Sequence, residues 1–182
     1  MGRSIIMTGY AAAETTAVLI ERERTALLKR YDDAFIDRAR EWCGTDISEH
    51  IKAAEAVPDT VVFPLGDTGV FGGLWEFAES LKQGFTVILD DIPIKQHTVE
   101  FCDLMEINLY SAPSKGSMLA ATYDPVGLID ECNKRGVNAV LIGHFTDGNR
   151  RIFITTDDTE RYAEKPDDTE KLKLSEYERV NQ

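Results

Sequence analysis

A glycine-rich turn between a predicted strand and a predicted helix is the strongest candidate for chemistry in this sequence. Residues 66–73 read Gly-Asp-Thr-Gly-Val-Phe-Gly-Gly. Glycines at the start of a helix let the backbone approach a ligand, and the free N–H groups and the helix dipole favour an anion such as phosphate. The candidate residues for binding phosphate or another ligand are Asp67, Thr68, Gly69, Gly72 and Gly73.

The same turn has a purely structural interpretation. It matches neither the dinucleotide-binding fingerprint nor the phosphate loop of nucleotide triphosphatases, which ends in Gly-Lys-Ser or Gly-Lys-Thr. Glycines also serve tight turns and close packing of a helix on a sheet. Both interpretations stay open at the level of sequence.

A second candidate group follows a proline-containing loop at residues 111–116. Lys115 and Ser117 directly precede or begin a predicted strand, so they could place a cation and a hydroxyl at the same edge of the sheet. The alternative is a solvated lysine without a ligand. Both residues are kept as candidate ligand-binding residues.

The other reactive side chains give weaker signals. The three histidines are isolated in the sequence, so a metal site or a catalytic pair would depend on tertiary proximity. They are His50, His97 and His144. Asp90 and Asp91 resemble a metal-binding pair, but they precede Ile-Pro after a strand, where a turn or a helix cap is the usual role. We therefore predict no metal site, and the catalytic residues stay unassigned.

Composition excludes several classes of protein. The 182 residues are 43% hydrophobic and 29% charged, which suits an ordinary globular domain. A net charge of −12 argues against nucleic acid as a partner. No apolar run is long enough for a membrane span or a signal peptide, which predicts a cytoplasmic protein without a membrane partner. Three widely spaced cysteines indicate reduced, buried thiols: Cys43, Cys102 and Cys132.

Strands and helices alternate along most of the chain. Apolar runs predict six strands, at residues 4–8, 60–65, 85–89, 117–123, 139–145 and 150–155. Helical patterns fill the intervals, Asp32 and Asp33 are placed to cap a helix, and Asp124-Pro125 is typical of a helix start. Asp147-Gly148 predicts a hairpin between the last two strands. This order predicts an α/β fold with three α/β/α layers around a mixed sheet. We expect residues 1–156 to form the domain and residues 157–182 a polar extension that is partly helical or mobile.

Several motifs follow one another along the chain. The series begins with the helix opening Gly-Val-Phe-Gly-Gly-Leu-Trp-Glu at residues 69–76 and the turn Ile-Pro-Ile at residues 92–94. It continues with Cys102, Asn-Leu-Tyr at residues 108–110 and Ser-Lys-Gly-Ser-Met-Leu at residues 114–119. In this order the motifs resemble the AIR synthase-related superfamily, in its C-terminal half and closest to HypE-like hydrogenase maturation factors. The likeness spans about residues 4–155.

The resemblance implies a C-terminal domain like that of PurM, with a partly ferredoxin-like β-α-β-β end. It also implies that ATP and Mg²⁺ are bound mainly by an N-terminal half that this chain lacks, so either cofactor would need a partner ATP-binding domain. Pro64 stands where a gap-free alignment puts a family aspartate, and the chain ends in Val-Asn-Gln where HypE carries a reactive cysteine. These departures argue against catalysis by the isolated chain.

Two functional hypotheses follow. The first is a stand-alone ligand-binding or assembly module, either a homo-oligomer or the partner of a separately encoded ATP-binding half. The second is the acceptor-substrate or phosphate-binding subunit of a split ATP-dependent enzyme of the AIR synthase, HypE or thiamine-monophosphate kinase type.

Overall fold

A seven-stranded sheet forms the centre of the computed structural model, which describes residues 2–167, 169, 172 and 173. The predicted runs near residues 4–8, 60–65, 85–89, 117–123, 139–145 and 150–155 all form strands, with ends that shift by a residue or two. The strands are β1 (Ser4–Thr8), β2 (Val61–Pro64), β3 (Gly84–Ile88), β4 (Met118–Thr122), β5 (Ala139–Thr146), β6 (Arg151–Ile154) and β7 (Glu160–Tyr162).

Seven α-helices and one short 3-10 helix connect these strands within the described residues. The Asp32 carboxylate accepts a hydrogen bond from the Phe35 N–H at 2.7 Å, and Asp124 accepts one from the Gly127 N–H at 2.9 Å, so both predicted caps form. The helices are α1 (Ala13–Arg22), α2 (Arg24–Leu27), α3 (Asp33–Ala39), α4 (Ser48–Glu55), α5 (Gly69–Leu81), α6 (Gln96–Leu104) and α7 (Pro125–Lys134), with the 3-10 turn at Leu89–Asp91.

The strand order is β2-β4-β1-β5-β3-β6-β7. β1 is antiparallel to both β4 and β5, β2 is antiparallel to β4, and β3 is antiparallel to β5 but parallel to β6. Consequently β1, β2, β3 and β6 all point the same way, and their C-terminal ends lie along one edge of the sheet, which we call the carboxyl edge. The loops after these four strands, and those before the antiparallel strands β4, β5 and β7, can meet a ligand there.

The predicted hairpin between β5 and β6 is wrong. Gly148 takes a φ of 84° in the connecting turn, yet β3 lies between the two strands. A turn sequence determines only that the chain reverses locally. Which strand pairs with β5 depends on the apolar side chains that the strand buries there. β3 contributes Phe85 and Val87, both fully buried. β4, α7 and β5 do form a split β-α-β unit around β1, in keeping with the partly ferredoxin-like prediction.

Helices cover both faces of the sheet, which confirms the three-layer α/β prediction. Side chains alternate along β1, so that Ile5 faces α5 and its Phe77, while Ile6 faces α4 and α7 with Ala53 and Leu128. A third apolar cluster joins α1, α2, α3 and α6 to one another and contains no strand residue. No helix in the described part of the chain is long and apolar enough to cross a membrane.

The C-terminal region contains a short strand in addition to what the expectation of a polar extension included. Residues 160–162 form β7, which pairs antiparallel with β6 and so adds a strand that the polar sequence did not predict. The Ala163 N–H then donates to the Arg151 carbonyl at 2.9 Å. The helix expected further on falls largely on residues 168, 170, 171 and 174–182, which lie outside the described residues.

Candidate functional site

The carboxyl edge brings together the two groups of residues singled out in the sequence. The glycine turn follows β2 at this edge, and β4 begins here because it runs in the opposite direction. Lys115 consequently lies next to the turn, with its Nζ 3.6 Å from an Asp67 carboxylate oxygen. Lys115 and the glycine turn therefore lie close together at this edge of the sheet.

The glycine turn is fastened to the loop at residues 110–112. Gly69 has a φ of +65°, and a Cβ there would lie 2.6 Å from the Ala112 carbonyl oxygen, so this position requires glycine. The Phe71 N–H donates to the Tyr110 carbonyl at 3.0 Å. At least one of the N–H groups that an anion would use in the first turn of α5 is therefore occupied by the protein itself.

Two glycines of α5 serve close packing. A Cβ on Gly73 would lie 2.2 Å from Leu65 Cδ2, and one on Gly72 would lie 2.2 Å from Thr68 Cβ. The same Cβ on Gly72 would lie 3.2 Å from Pro166 Cβ, so the C-terminal segment passes over the start of α5. The packing interpretation of these two glycines therefore has direct geometric support.

Lys115 lies between two carboxylates. Its Nζ is 3.5 Å from Glu14 Oε1 as well as 3.6 Å from Asp67 Oδ1, and its backbone N–H donates to Glu14 at 3.2 Å. The lysine side chain is 56% exposed. Because two negative charges offset one positive charge, this cluster attracts anions less than an unpaired lysine would.

Ser117 is buried and hydrogen-bonded to the backbone of Tyr10. Its hydroxyl donates to the Tyr10 carbonyl at 2.6 Å and accepts from the Tyr10 N–H at 3.1 Å. Ser114 has a similar role, since its hydroxyl accepts from the Ala12 N–H at 2.9 Å and donates to the Ala112 carbonyl. These two serines hold the loop after β1, a role that sequence analysis missed because the partners are about 100 residues away.

A cavity of about 390 Å³ opens beside the glycine turn on the α5 side of the sheet. Its wall includes Phe71, which stacks on Phe153 at 4.4 Å between ring centroids. On the other side Phe71 stacks on Tyr110 at 4.9 Å, with the rings 4° from parallel, and burial raises the Tyr110 pKa. Thr68 and Lys165 supply polar groups to the same cavity. The lining thus combines aromatic side chains with polar groups, which is the usual composition of a ligand cavity.

A second cavity of about 390 Å³ lies at the carboxyl edge, beyond the end of β1. His50 lines it and is 2.8 Å from the Thr8 hydroxyl. His97 lies elsewhere, stacked on Phe35 at 4.4 Å in the third apolar cluster. The histidines thus do not meet, and the described residues contain no group of three or more metal-ligating side chains.

Asp90 and the three cysteines lie in surroundings that indicate structural roles. The Asp90 carboxylate accepts a hydrogen bond from the Thr156 hydroxyl at 2.9 Å, which ties two loops of the carboxyl edge together. All three cysteines are buried, and burial raises the pKa of the Cys43 and Cys132 thiols. Raised thiol pKa values disfavour the reactive thiolate at neutral pH.

Solved structures share this fold. HypE from E. coli, a hydrogenase maturation protein, has a TM-score of 0.72 and 16% identity, with 91% of this chain and 50% of that chain covered. A thiamine-monophosphate kinase from Stenotrophomonas maltophilia K279a has a TM-score of 0.64 and 15% identity, covering 84% and 50%. PurL from T. maritima, complexed with AMPPCP, has a TM-score of 0.56 and 14% identity, covering 89% and 25%. In sequence, no family model and no curated protein matches the chain.

The predicted resemblance to the AIR synthase-related superfamily is therefore confirmed for the fold. Identities of 14–16% concern the arrangement of the backbone and carry no residue roles. The chain spans about half the length of the HypE and thiamine-monophosphate kinase chains that it matches.

Proposed function

We propose that this chain acts as a cytoplasmic ligand-binding or assembly module with the AIR synthase-related fold. It associates with a second copy or with a separately encoded ATP-binding polypeptide. The observation that carries the proposal is an apolar area on the sheet that no core cluster of the described residues covers.

This area, the open sheet face, consists of Ile88, Leu141, Ile154 and Tyr162. β3 buries Phe85 and Val87 toward α5, so Ile88 points to the opposite face, and its register partner Ile154 points the same way. Tyr162 pairs with Ile152 on that face, and Leu141 pairs with Ile6.

The open sheet face lacks the cover that the rest of this face has. The cluster formed by α4 and α7 includes residues of β1 and β4 but, among the described residues, none from β3, β6 or β7. Ile88 is 43% exposed, Leu141 44% and Tyr162 69%. Contiguous exposed apolar side chains on a sheet are typical of an interaction surface.

Size measurement tests the assembly proposal. We expect light scattering coupled to size exclusion to give a mass above the 20.4 kDa of one chain, and the double variant Ile88→Lys/Leu141→Lys to return it to that mass. Leu28→Lys is the matched control, because Leu28 is also 44% exposed but lies at the end of α2. Circular dichroism verifies that all three proteins are folded.

Two results would contradict the proposal. One is a wild-type chain that stays at monomer mass up to about 1 mM and forms no complex with an ATP-binding polypeptide. The other is ATP hydrolysis by the purified chain alone, with phosphate release abolished by Asp67→Asn.

The second candidate function is a subunit of a split ATP-dependent enzyme. It is favoured by the first cavity, which opens beside the glycine turn. Proteins of the same fold have been crystallised with ATP, in the case of HypE, and with AMPPCP and TMP, in the case of AaThiL. In this function a partner chain supplies the ATP and Mg²⁺ sites, while Thr68, Lys115 and the glycine turn bind the acceptor.

Reconstitution separates the two functions. An enzyme subunit must give ATP turnover when mixed with its partner, and Lys115→Met should lower that turnover without preventing complex formation. An assembly module gives the complex without turnover. Absence of both complex and turnover would count against the split enzyme.

A further inference from the structure

The second cavity, at the end of β1, is separate from the glycine turn and from the open sheet face. Tyr10, Trp42 and His50 line it together with two acidic residues, Glu41 and Asp46, and several glycines at its mouth. The Tyr10 and Trp42 rings meet edge to face, with centroids 5.5 Å apart and planes at 74°. The cavity therefore has an aromatic wall, an imidazole and two carboxylates.

Satisfying both hydrogen bonds of the Thr8 hydroxyl selects one tautomer of His50. The Thr8 hydroxyl is 3.3 Å from the Met118 carbonyl oxygen and 2.8 Å from His50 Nδ1. The Met118 carbonyl can only accept, so a hydrogen bond to it uses the single hydroxyl proton of Thr8. The contact with His50 is then a second hydrogen bond only if His50 Nδ1 carries a proton and donates it to the Thr8 oxygen. The lone pair of a neutral His50 then lies on Nε2.

Burial keeps the imidazole in that neutral form. It lowers the pKa of His50, although the nearby Asp46 charge acts in the opposite direction. A neutral imidazole with a protonated Nδ1 accepts one hydrogen bond at Nε2 and offers no second donor. A ligand at this position must therefore bring an N–H or O–H group.

The charges of the lining select the sign of the ligand. Hydrogen bonds from the Ser48 hydroxyl and N–H lower the Asp46 pKa, which keeps its carboxylate ionised. Glu41 adds a second carboxylate, and no lysine or arginine is among the described residues of the lining. Lys95 lies just outside, with its Nζ 4.5 Å from the Tyr10 ring centroid. The lining thus favours a cation that donates hydrogen bonds.

We propose that this cavity binds a small planar organic cation of the amidinium or guanidinium class. One N–H group donates to His50 Nε2, the others donate to Asp46 and Glu41, and the flat group lies against Trp42. Planar forked donors match carboxylates in geometry, and aromatic rings attract cations on their faces. The site does not depend on the proposed assembly function.

Three probes of equal shape and different charge test the proposal by NMR. Benzamidine, benzamide and benzoate are titrated into the ¹⁵N-labelled full chain, and the Trp42 indole N–H and the His50 imidazole nitrogens are followed. We expect saturable shifts at both residues with benzamidine, weaker effects with benzamide and none with benzoate. Equal binding of all three probes, or no saturable shift with benzamidine, overturns the proposal.

Variants that remove the two carboxylate charges provide a second test of the proposal. Glu41→Gln/Asp46→Asn should weaken benzamidine binding by about fivefold, since an exposed charge pair contributes up to about 1 kcal/mol. The amide introduced by Asp46→Asn keeps a side-chain oxygen for Ser48, so the start of α4 is preserved. Glu55→Gln is the control, because Glu55 lies on α4, is exposed and is not part of the cavity lining. If the double variant and the control bind benzamidine as the wild type does, the proposal is wrong.

Discussion

Replacing Ser117 by alanine tests whether this residue is structural or is available to a ligand. Ser117 is fully buried, and its hydroxyl makes two hydrogen bonds with the Tyr10 backbone, at 2.6 Å and 3.1 Å. We expect Ser117→Ala to destabilise the folded protein because it leaves a half-buried carbonyl and N–H without these partners.

The magnitude follows from the number of bonds. A hydrogen bond contributes about 1 kcal/mol to stability, so losing two lowers the free energy of unfolding by about 2 kcal/mol. For a chain of this size, 1 kcal/mol corresponds to about 2–4 °C in melting temperature, which predicts a decrease of about 4–8 °C.

Thermal unfolding followed by circular dichroism measures the effect. Ser80→Ala is the matched control, because the Ser80 hydroxyl donates to the Phe77 carbonyl at 2.7 Å but the residue is exposed on α5. We expect the control to change stability by no more than about 0.5 kcal/mol. If Ser117→Ala melts at the same temperature as the control, the structural role assigned to Ser117 is refuted.

Three further predictions concern stability. Gly69→Ala should lower the free energy of unfolding, measured in urea titrations, by at least about 2 kcal/mol, because φ is +65° and the Cβ would meet backbone oxygens. Gly66→Ala is the control and should be neutral or stabilising, since no non-neighbouring atom of the described residues lies within 4 Å of its Cβ position. Lys115→Met should change the melting temperature by less than about 4 °C, because the lysine side chain is 56% exposed and solvent screens its ion pairs. A larger decrease would show that these ion pairs contribute more to stability than we expect. Burial lowers the His97 pKa, so between about pH 6.5 and that lower pKa the unfolded state binds a proton that the native state does not. The free energy of unfolding therefore decreases as the pH is lowered through this range. His97→Phe should reduce this decrease, and an unchanged pH dependence between about pH 7 and 5 would contradict the reasoning.

Local sequence patterns were sufficient for most of the elements. Six strands, the caps at Asp32 and Asp124 and the helix after the glycine turn were predictable because each depends on neighbours within a few residues. The seventh strand, Glu160–Tyr162, was not predicted, because its polar residues are all exposed and its stability comes from pairing with β6.

Tertiary structure alone decided how these elements and side chains meet. The turn at Asp147-Gly148 reverses the chain, but the position of β3 between β5 and β6 depends on burial of a strand more than 50 residues away. Ser117 and Lys115 looked alike as candidates, yet one holds the Tyr10 backbone and the other lies between two carboxylates. His50 looked isolated until folding placed it against Thr8, 42 positions earlier. Periodicity and capping are local properties of the chain, whereas hydrogen-bond partners and charge neighbours belong to groups that only folding brings together.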